Sequence, residues 1–343
     1  MANEESLIRE LCEPSEVLAK DLAKLSGDVL ILGAGGKMGP TLSVLCENAA
    51  KKGFEQGYCG KKKVFAVARF SDPDAEPFLR SSGVIPIRAN LADSNALAQL
   101  PDADNIIFMA GTKFGTTGNE VNTWAINARV PVLVAERFKG KRIVVFSSGN
   151  VYAQRPLSEG GASEKEAPSP VGDYGASVLA RERMFEHAAQ AFGTKVAIMR
   201  LFYAIDFRYG VLCDIASSII NKKPVSLSVP AFQCIWQKDA NEAAIRMLGI
   251  ASNPPLFMNV TGPETASVRQ TALTLGTLLG IDPIFSGEPG ATALLGDAGL
   301  SFSTFGYPRM PLNMLIKRQA QWMLDGGRII GKPTHFEEKG GNY

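Results

Sequence analysis

The sequence predicts an α/β protein, a doubly wound parallel sheet with a smaller C-terminal lobe. Three observations carry that expectation. Short apolar, β-branched runs recur at 28–32, 64–68, 84–87, 105–110, 142–147 and 195–200, with helical stretches between them. Strand-helix alternation of this kind implies parallel strands covered by helices on both faces. The first run ends in a glycine-rich turn that opens a helix from Pro40 to about Lys51. After about residue 202 the rhythm breaks into proline, glycine and mixed short segments, although 256–260 still reads as one more strand.

Upstream of the first strand, Val17, Leu18, Leu22 and Leu25 stand at helical spacing, with Ser15 in place to cap the helix. This helix is expected to lie outside the main domain. The expected divisions are therefore an N-terminal helical extension over 1–27, a dinucleotide-binding domain over 28–202, and a smaller substrate-binding lobe over 203–343 that returns 256–260 to the sheet. The last dozen residues, with Gly331, Gly340 and Gly341, read as an extended tail.

The bulk numbers exclude several classes. The 343 residues, 45% hydrophobic, are enough to bury a large core. A net charge of +2 gives no broad field for nucleic acid or an anionic membrane. Cys12, Cys46, Cys59, Cys213 and Cys234 are scattered without metal-ligand spacing, which suits reduced thiols. His187 and His335 are the only histidines and suggest neither a triad nor a metal site. The N-terminus carries Asn3, Glu4 and Glu5 in place of a basic leader, and no run of 18 apolar residues occurs, so a soluble cytoplasmic protein is expected.

The glycine loop Gly33-Ala34-Gly35-Gly36-Lys37-Met38-Gly39 follows a strand and precedes a helix, the context of a Rossmann-type dinucleotide site. Its glycines permit a sharp turn, close approach of a diphosphate to the backbone, and tight helix packing. Free amides and the helix dipole supply the anion site. At the end of the second strand stands Ala68-Arg69-Phe70-Ser71, with no carboxylate before Asp72. A carboxylate there would hold free ribose hydroxyls, whereas the Arg69 guanidinium suits a 2'-phosphate, so NADP is favoured over NAD. Lys37 is a second cation for the same purpose.

Further residues resemble the extended short-chain dehydrogenase/reductases, the group of nucleotide-sugar epimerases and dehydratases, over roughly 28–330. The matching segments are Asn90-Leu91, Ala110-Gly111 with Thr112 following, Asn127, Phe146-Ser147-Ser148-Gly149-Asn150-Val151-Tyr152, and Tyr174-Gly175-Ala176-Ser177 with Glu182 beyond. The resemblance implies a cofactor lined by these positions through Ser147. It implies that Tyr174 exchanges a proton with a substrate hydroxyl or ketone while Ser148 hydrogen-bonds the same oxygen. Substrate contacts are then expected from Lys113, Ser148, Gly149, Asn150 and Tyr203. A small-molecule substrate and a homodimer, paired through 120–138 and 173–191, are also implied. Val130, Val132, Leu133, Leu179, Met184 and Phe185 serve either the core or that interface. Asp173 is a candidate cap for the helix carrying Tyr174.

The sequence departs from the family at two places. Where the family has a lysine four residues after the tyrosine, this chain has Val178. That ammonium would stand one helical turn from the phenol and favour its ionised form. Arg181 and Lys113 are the two cations that sequence position offers as substitutes. After the sixth strand, Tyr203, Asp206 and Phe207 replace residues that help receive a nucleotide-sugar, so a sugar acid or hydroxy acid is at least as consistent. Two readings stay open: an NAD(P)-dependent epimerase, dehydratase or reductase with Tyr174 as acid/base, or a catalytically impaired dinucleotide-binding sensor or partner protein.

Overall fold

The computed structural model describes residues 3–113 and 117–341. Seven strands form one wholly parallel sheet: β1 Val29–Leu32, β2 Val64–Ala68, β3 Ile85–Arg88, β4 Asn105–Phe108, β5 Arg142–Ser148, β6 Lys195–Leu201 and β7 Leu256–Val260. Their spatial order is β7-β6-β5-β4-β1-β2-β3. The strand order reverses between β1 and β4, and the crevice beyond the carboxyl ends of these two parallel strands is where a doubly wound sheet receives a ligand.

Successive side chains of a strand point to opposite faces, so each apolar run feeds two cores. Ile31, Ala66, Ile107, Val144 and Met199 face one layer, completed by Leu42 and Leu45 of the Gly39–Glu55 helix. Leu30, Val67, Ile106, Val145 and Ile198 face the other, against Val134, Phe138 and Phe185. A C-terminal lobe has its own core around Phe207, Leu212, Trp236, Leu275, Leu315 and Trp322.

The N-terminal segment is not set apart from these layers. The expected helix spans Glu16–Ala23, and the Ser15 hydroxyl accepts from the Leu18 amide at 3.0 Å. Its Leu18 and Leu22 are buried in the same core as Ile31 and Leu42, which corrects the expectation that it lies outside the main domain. A second helix, Glu4–Cys12, sends Leu7 and Leu11 into the C-terminal lobe. Glu4 there accepts from Arg208 and Arg328.

The chain end returns to the cleft. Lys37 Nζ of the glycine loop donates to the Lys332 carbonyl at 2.9 Å, and the Thr334 amide and hydroxyl both donate to Asp214. Phe336 is buried against Phe232, and Gly341 lies against Gly172 at the start of the Gly172–Phe192 helix. Among the described residues no helix is long and apolar enough to cross a membrane.

Candidate active site

The glycine loop shows which of its members the fold itself requires. Gly33 has φ +94°, and a Cβ there would fall 2.4 Å from the Ala110 amide nitrogen. A Cβ on Gly39 would fall 2.3 Å from the Ala34 carbonyl oxygen. One glycine lets β1 turn against the end of β4, and the other seats the helix on the loop. Gly36 differs, because the nearest atom to a Cβ there is 4.0 Å away. Its missing side chain leaves room in the cleft and serves no packing contact. No side chain caps the start of the Gly39–Glu55 helix, so its first amides and positive dipole end are available to an anion.

Gly33, Gly35 and Gly36 line this cleft together with Arg69, Asn90, Leu91, Ala110, Gly111 and Thr112. Nine sequence-predicted cofactor residues are thus brought to one crevice at the reversal of strand order. Arg69 is exposed at the carboxyl end of β2. Its carbonyl and that of Phe70 accept from Arg88, which also pairs with Glu76 at 2.9 Å. The first carboxylate downstream, Asp72, accepts from the Asp74 amide in a local turn.

Four predicted cofactor residues point elsewhere. Lys37 lies 4.6 Å from the Tyr209 ring and meets the C-terminal segment, and burial lowers its pKa to about 8. Met38 packs against the sheet core. The Ser147 hydroxyl bonds Glu182 at 2.5 Å, leaving only the main chain of Ser147 for a dinucleotide. Asn127 is buried behind the cleft wall, where it fixes the Thr112 amide at 2.9 Å and the Thr112 carbonyl at 3.0 Å.

Tyr174 sits in the first turn of the Gly172–Phe192 helix, 8% exposed, with its phenol beside Ser148 at the end of β5. The Ser148 hydroxyl bonds Asn150 Oδ1 at 3.0 Å. Burial pushes the Tyr174 phenol above its ordinary value, while the neighbouring Ser148 hydroxyl and the charge of Arg181 oppose that rise. Lys113 Nζ lies 5.7 Å from the Tyr174 ring centre and 5.6 Å from that of Tyr203. Burial lowers the Lys113 ammonium to about 8, with Lys37 adding repulsion. Tyr203 thus shares the Lys113 side of the cleft, whereas Gly149 packs under the Phe202 ring, 2.5 Å from where a Cβ would stand.

Val178 is buried in an apolar cluster with Tyr174, Val151, Phe202 and Leu294. The helix position one turn from the phenol is therefore filled by hydrocarbon. Asp173 does not cap the helix. Val171 holds the cap position without a side-chain bond, and Asp173 accepts from Trp124 Nε1 at 2.7 Å, because the helix begins two residues earlier than the capping role requires.

A buried network that sequence position did not assign supports the β5 end. Arg200 Nε and Nη2 donate to Glu182 at 2.9 and 2.7 Å, Arg200 Nη1 donates to Tyr152 at 2.7 Å, and the Tyr152 hydroxyl donates to Asn259 at 3.1 Å. Each member appears in the sequence as an isolated polar residue on a strand or helix. The pairing joins residues 18 to 107 positions apart, beyond the reach of local spacing. The C-terminal segment was likewise read only as a tail, yet Glu338, Lys339 and Gly341 join Asn150, Gln154 and Tyr203 around the substrate side. Among the described residues no group of three or more His, Cys, Asp or Glu could hold a metal ion.

Solved structures share this architecture. MoeE5 in complex with UDP-glucuronic acid and NAD superimposes with a TM-score of 0.70 at 20% identity, over 88% of this chain and 100% of that one. UDP-glucuronic acid 4-epimerase from Bacillus cereus in complex with NAD gives 0.70 at 18%, over 87% and 99%. UDP-glucose 4-epimerase from Thermus thermophilus in complex with NAD gives 0.67 at 18%, over 86% and 98%. These likenesses show the fold. A comparison with curated proteins gave no match. The family model for the NAD dependent epimerase/dehydratase family matches residues 29–205, more than half of the chain and every strand of the sheet but β7. The protein belongs to the NAD dependent epimerase/dehydratase family.

Proposed function

We propose that the protein is an NAD(P)-dependent oxidoreductase of the epimerase, dehydratase or reductase type, acting on a sugar, sugar acid or nucleotide-sugar derivative. The observation that carries this reading is the placement of Tyr174 beside Ser148 at the end of β5, next to a cleft whose glycine loop leaves Gly36 open. When bound, the dinucleotide supplies the site that accepts or donates hydride. Backbone amides of the glycine loop and the helix start hold its diphosphate. Arg69 receives a 2'-phosphate, which favours NADP over the NAD bound by the structural relatives.

Within the substrate, Ser148 hydrogen-bonds the reacting oxygen and Tyr174 takes or returns its proton. The phenol is protonated at neutral pH, and burial moves its pKa further from neutrality, so it is poised to donate to a ketone. Lys113, between the Tyr174 and Tyr203 rings, is a cationic contact for a polar substrate. Residues 338–341 narrow the same side, which supports a substrate smaller than a nucleotide-sugar. Two chains pair through 120–138 and 173–191. Val132, Leu133, Leu179 and Met184 are half-buried and available to that interface, while Val130 and Phe185 belong to the core.

The test is coenzyme-dependent turnover over a panel of sugars, sugar acids and UDP-sugars, with Tyr174→Phe alongside. Loss of a positioned proton donor costs about 10²- to 10⁴-fold in rate. Equal rates in both proteins would overturn the acid/base role. A second reading, a dinucleotide-binding sensor without catalysis, is favoured by the apolar burial of Val178. It predicts coenzyme binding with no turnover on any of these substrates.

A further inference from the structure

Arg181 lies two helical turns beyond Tyr174, and its guanidinium reaches behind the cofactor cleft. Nη1 donates to the Phe146 carbonyl at 2.7 Å and Nη2 to Asn127 Oδ1 at 2.7 Å. Both acceptors are neutral. Nε is buried with no hydrogen-bond partner. The next residue, Glu182, is held by Arg200 and Ser147, so its carboxylate is committed elsewhere. The residue is 5% exposed, and a Cβ on Gly111 would fall 2.5 Å from Nη2. The cleft wall is thus one glycine thick above the cation. A buried cation whose hydrogen-bond acceptors are all neutral is costly to the folded state. Such a charge becomes favourable when an anion forms nearby in the same low-dielectric surroundings.

The geometry points to Arg181 as the positioning residue that replaces the absent lysine, stabilising negative charge on the Tyr174 oxygen from behind the Gly111 wall. This rests on the acid/base reading of Tyr174. In the family pattern the cation comes from the residue one turn away, on the cofactor side. Here that residue is Val178, and the guanidinium comes from two turns away, anchored by Asn127 and the β5 main chain. Asn127 links the parts, because it also bonds Ser177 at 3.0 Å and fixes Thr112. Among the described residues, the other polar or charged groups around Tyr174 have places of their own. Ser148 stands beside the phenol, Lys113 faces the ring, and Tyr152 shares the apolar cluster. Asp173 is turned to Trp124, and Glu182 is neutralised by Arg200. The proton itself moves between substrate oxygen and phenol, with Arg181 neither donating nor accepting it.

The test follows the Tyr174 titration by NMR in protein labelled with ring-¹³C tyrosine, with Tyr174→Phe identifying the signal. Arg181→Gln keeps hydrogen-bonding groups near Phe146 and Asn127 while removing the charge, and Arg181→Lys restores a cation. The expected result is a midpoint at least about one unit higher in Arg181→Gln, a tenfold change in the ionised fraction, with more than half of the shift recovered in Arg181→Lys. If Arg181→Gln does not fold, Asn127→Asp sets a carboxylate against the guanidinium, and the same upward shift is expected. A midpoint within about 0.3 units of wild type in a folded variant, where one unit is about 1.4 kcal/mol, overturns the inference. The readout needs no substrate. An unmoved titration with Tyr174-dependent turnover would sink this inference alone, and a shifted titration without turnover would sink only the oxidoreductase reading.

Discussion

Gly36→Ala separates a glycine kept for a ligand from one kept for the fold. The nearest atom to the added methyl is 4.0 Å away, an ordinary contact, and Gly36 lies outside the positive-φ region. Such a substitution stabilises by up to about 1 kcal/mol, through loss of freedom in the unfolded chain. The methyl instead stands in the cleft where a diphosphate would approach the loop amides. Losing one hydrogen bond to a charged group costs about 1.5–3 kcal/mol, or roughly a 10- to 150-fold weaker Kd. Gly39→Ala is the control, since its methyl would fall 2.3 Å from the Ala34 carbonyl oxygen. Overpacking of that kind costs about 1–3 kcal/mol. Calorimetric titration with NADP+ and thermal melting of all three proteins give both quantities. The account expects Gly36→Ala to melt no lower than wild type while losing affinity, and Gly39→Ala to melt lower. Wild-type affinity in Gly36→Ala would refute the reasoning, because the diphosphate would not then lie against that residue.

Three further outcomes follow from the geometry. Arg69→Ala is expected to weaken NADP+ binding by about 1.5–3 kcal/mol, the worth of a charge-assisted hydrogen bond, and to leave NAD+ affinity nearly unchanged; parallel titrations of the two coenzymes check it. Arg200→Met leaves the Glu182 carboxylate, which is 0% exposed, without its cation. Breaking a buried pair costs about 3–5 kcal/mol, read as a lower denaturant midpoint. Lys113→Met addresses pH: the ammonium titrates near 8 in the folded chain, below its ordinary value of 10.5. The unfolded chain then binds more protons between those two values, so this lysine makes stability rise with pH across that window. The melting difference between Lys113→Met and wild type is therefore expected to favour the variant most below pH 8 and to shrink toward pH 10.5. A difference that does not change with pH would contradict it.

The sheet was legible because its strands are short apolar runs, fully buried in the central β1 and β4, and burial on both faces leaves a continuous signature in sequence; at the edge strand β3, by contrast, Ile85 and Arg88 are exposed. The glycine loop was legible because Gly33 and Gly39 answer to steric demands that no other residue meets. The Glu4–Cys12 helix was missed although its signal is present: Asn3 caps it by accepting from the Ser6 amide at 3.0 Å, and Leu7 and Leu11 lie one turn apart. What the sequence hid is long-range. Nothing local shows that Glu182 answers Arg200, that Ser147 turns to Glu182, or that Lys37 is drawn to the Lys332 carbonyl 295 residues away. The Asp173 cap failed on a shift of two residues, since Val171 holds the cap position, and capping roles are sensitive to such a shift where apolar periodicity is not.

Direct titration of the purified wild-type chain with NADP+, NADPH, NAD+ and NADH tests the central claim, that amides of the β1 turn and the following helix start neutralise a dinucleotide's diphosphate. The account predicts saturable binding of one coenzyme per chain, tighter for the phosphorylated pair. An absence of heat with all four at millimolar concentration would contradict it.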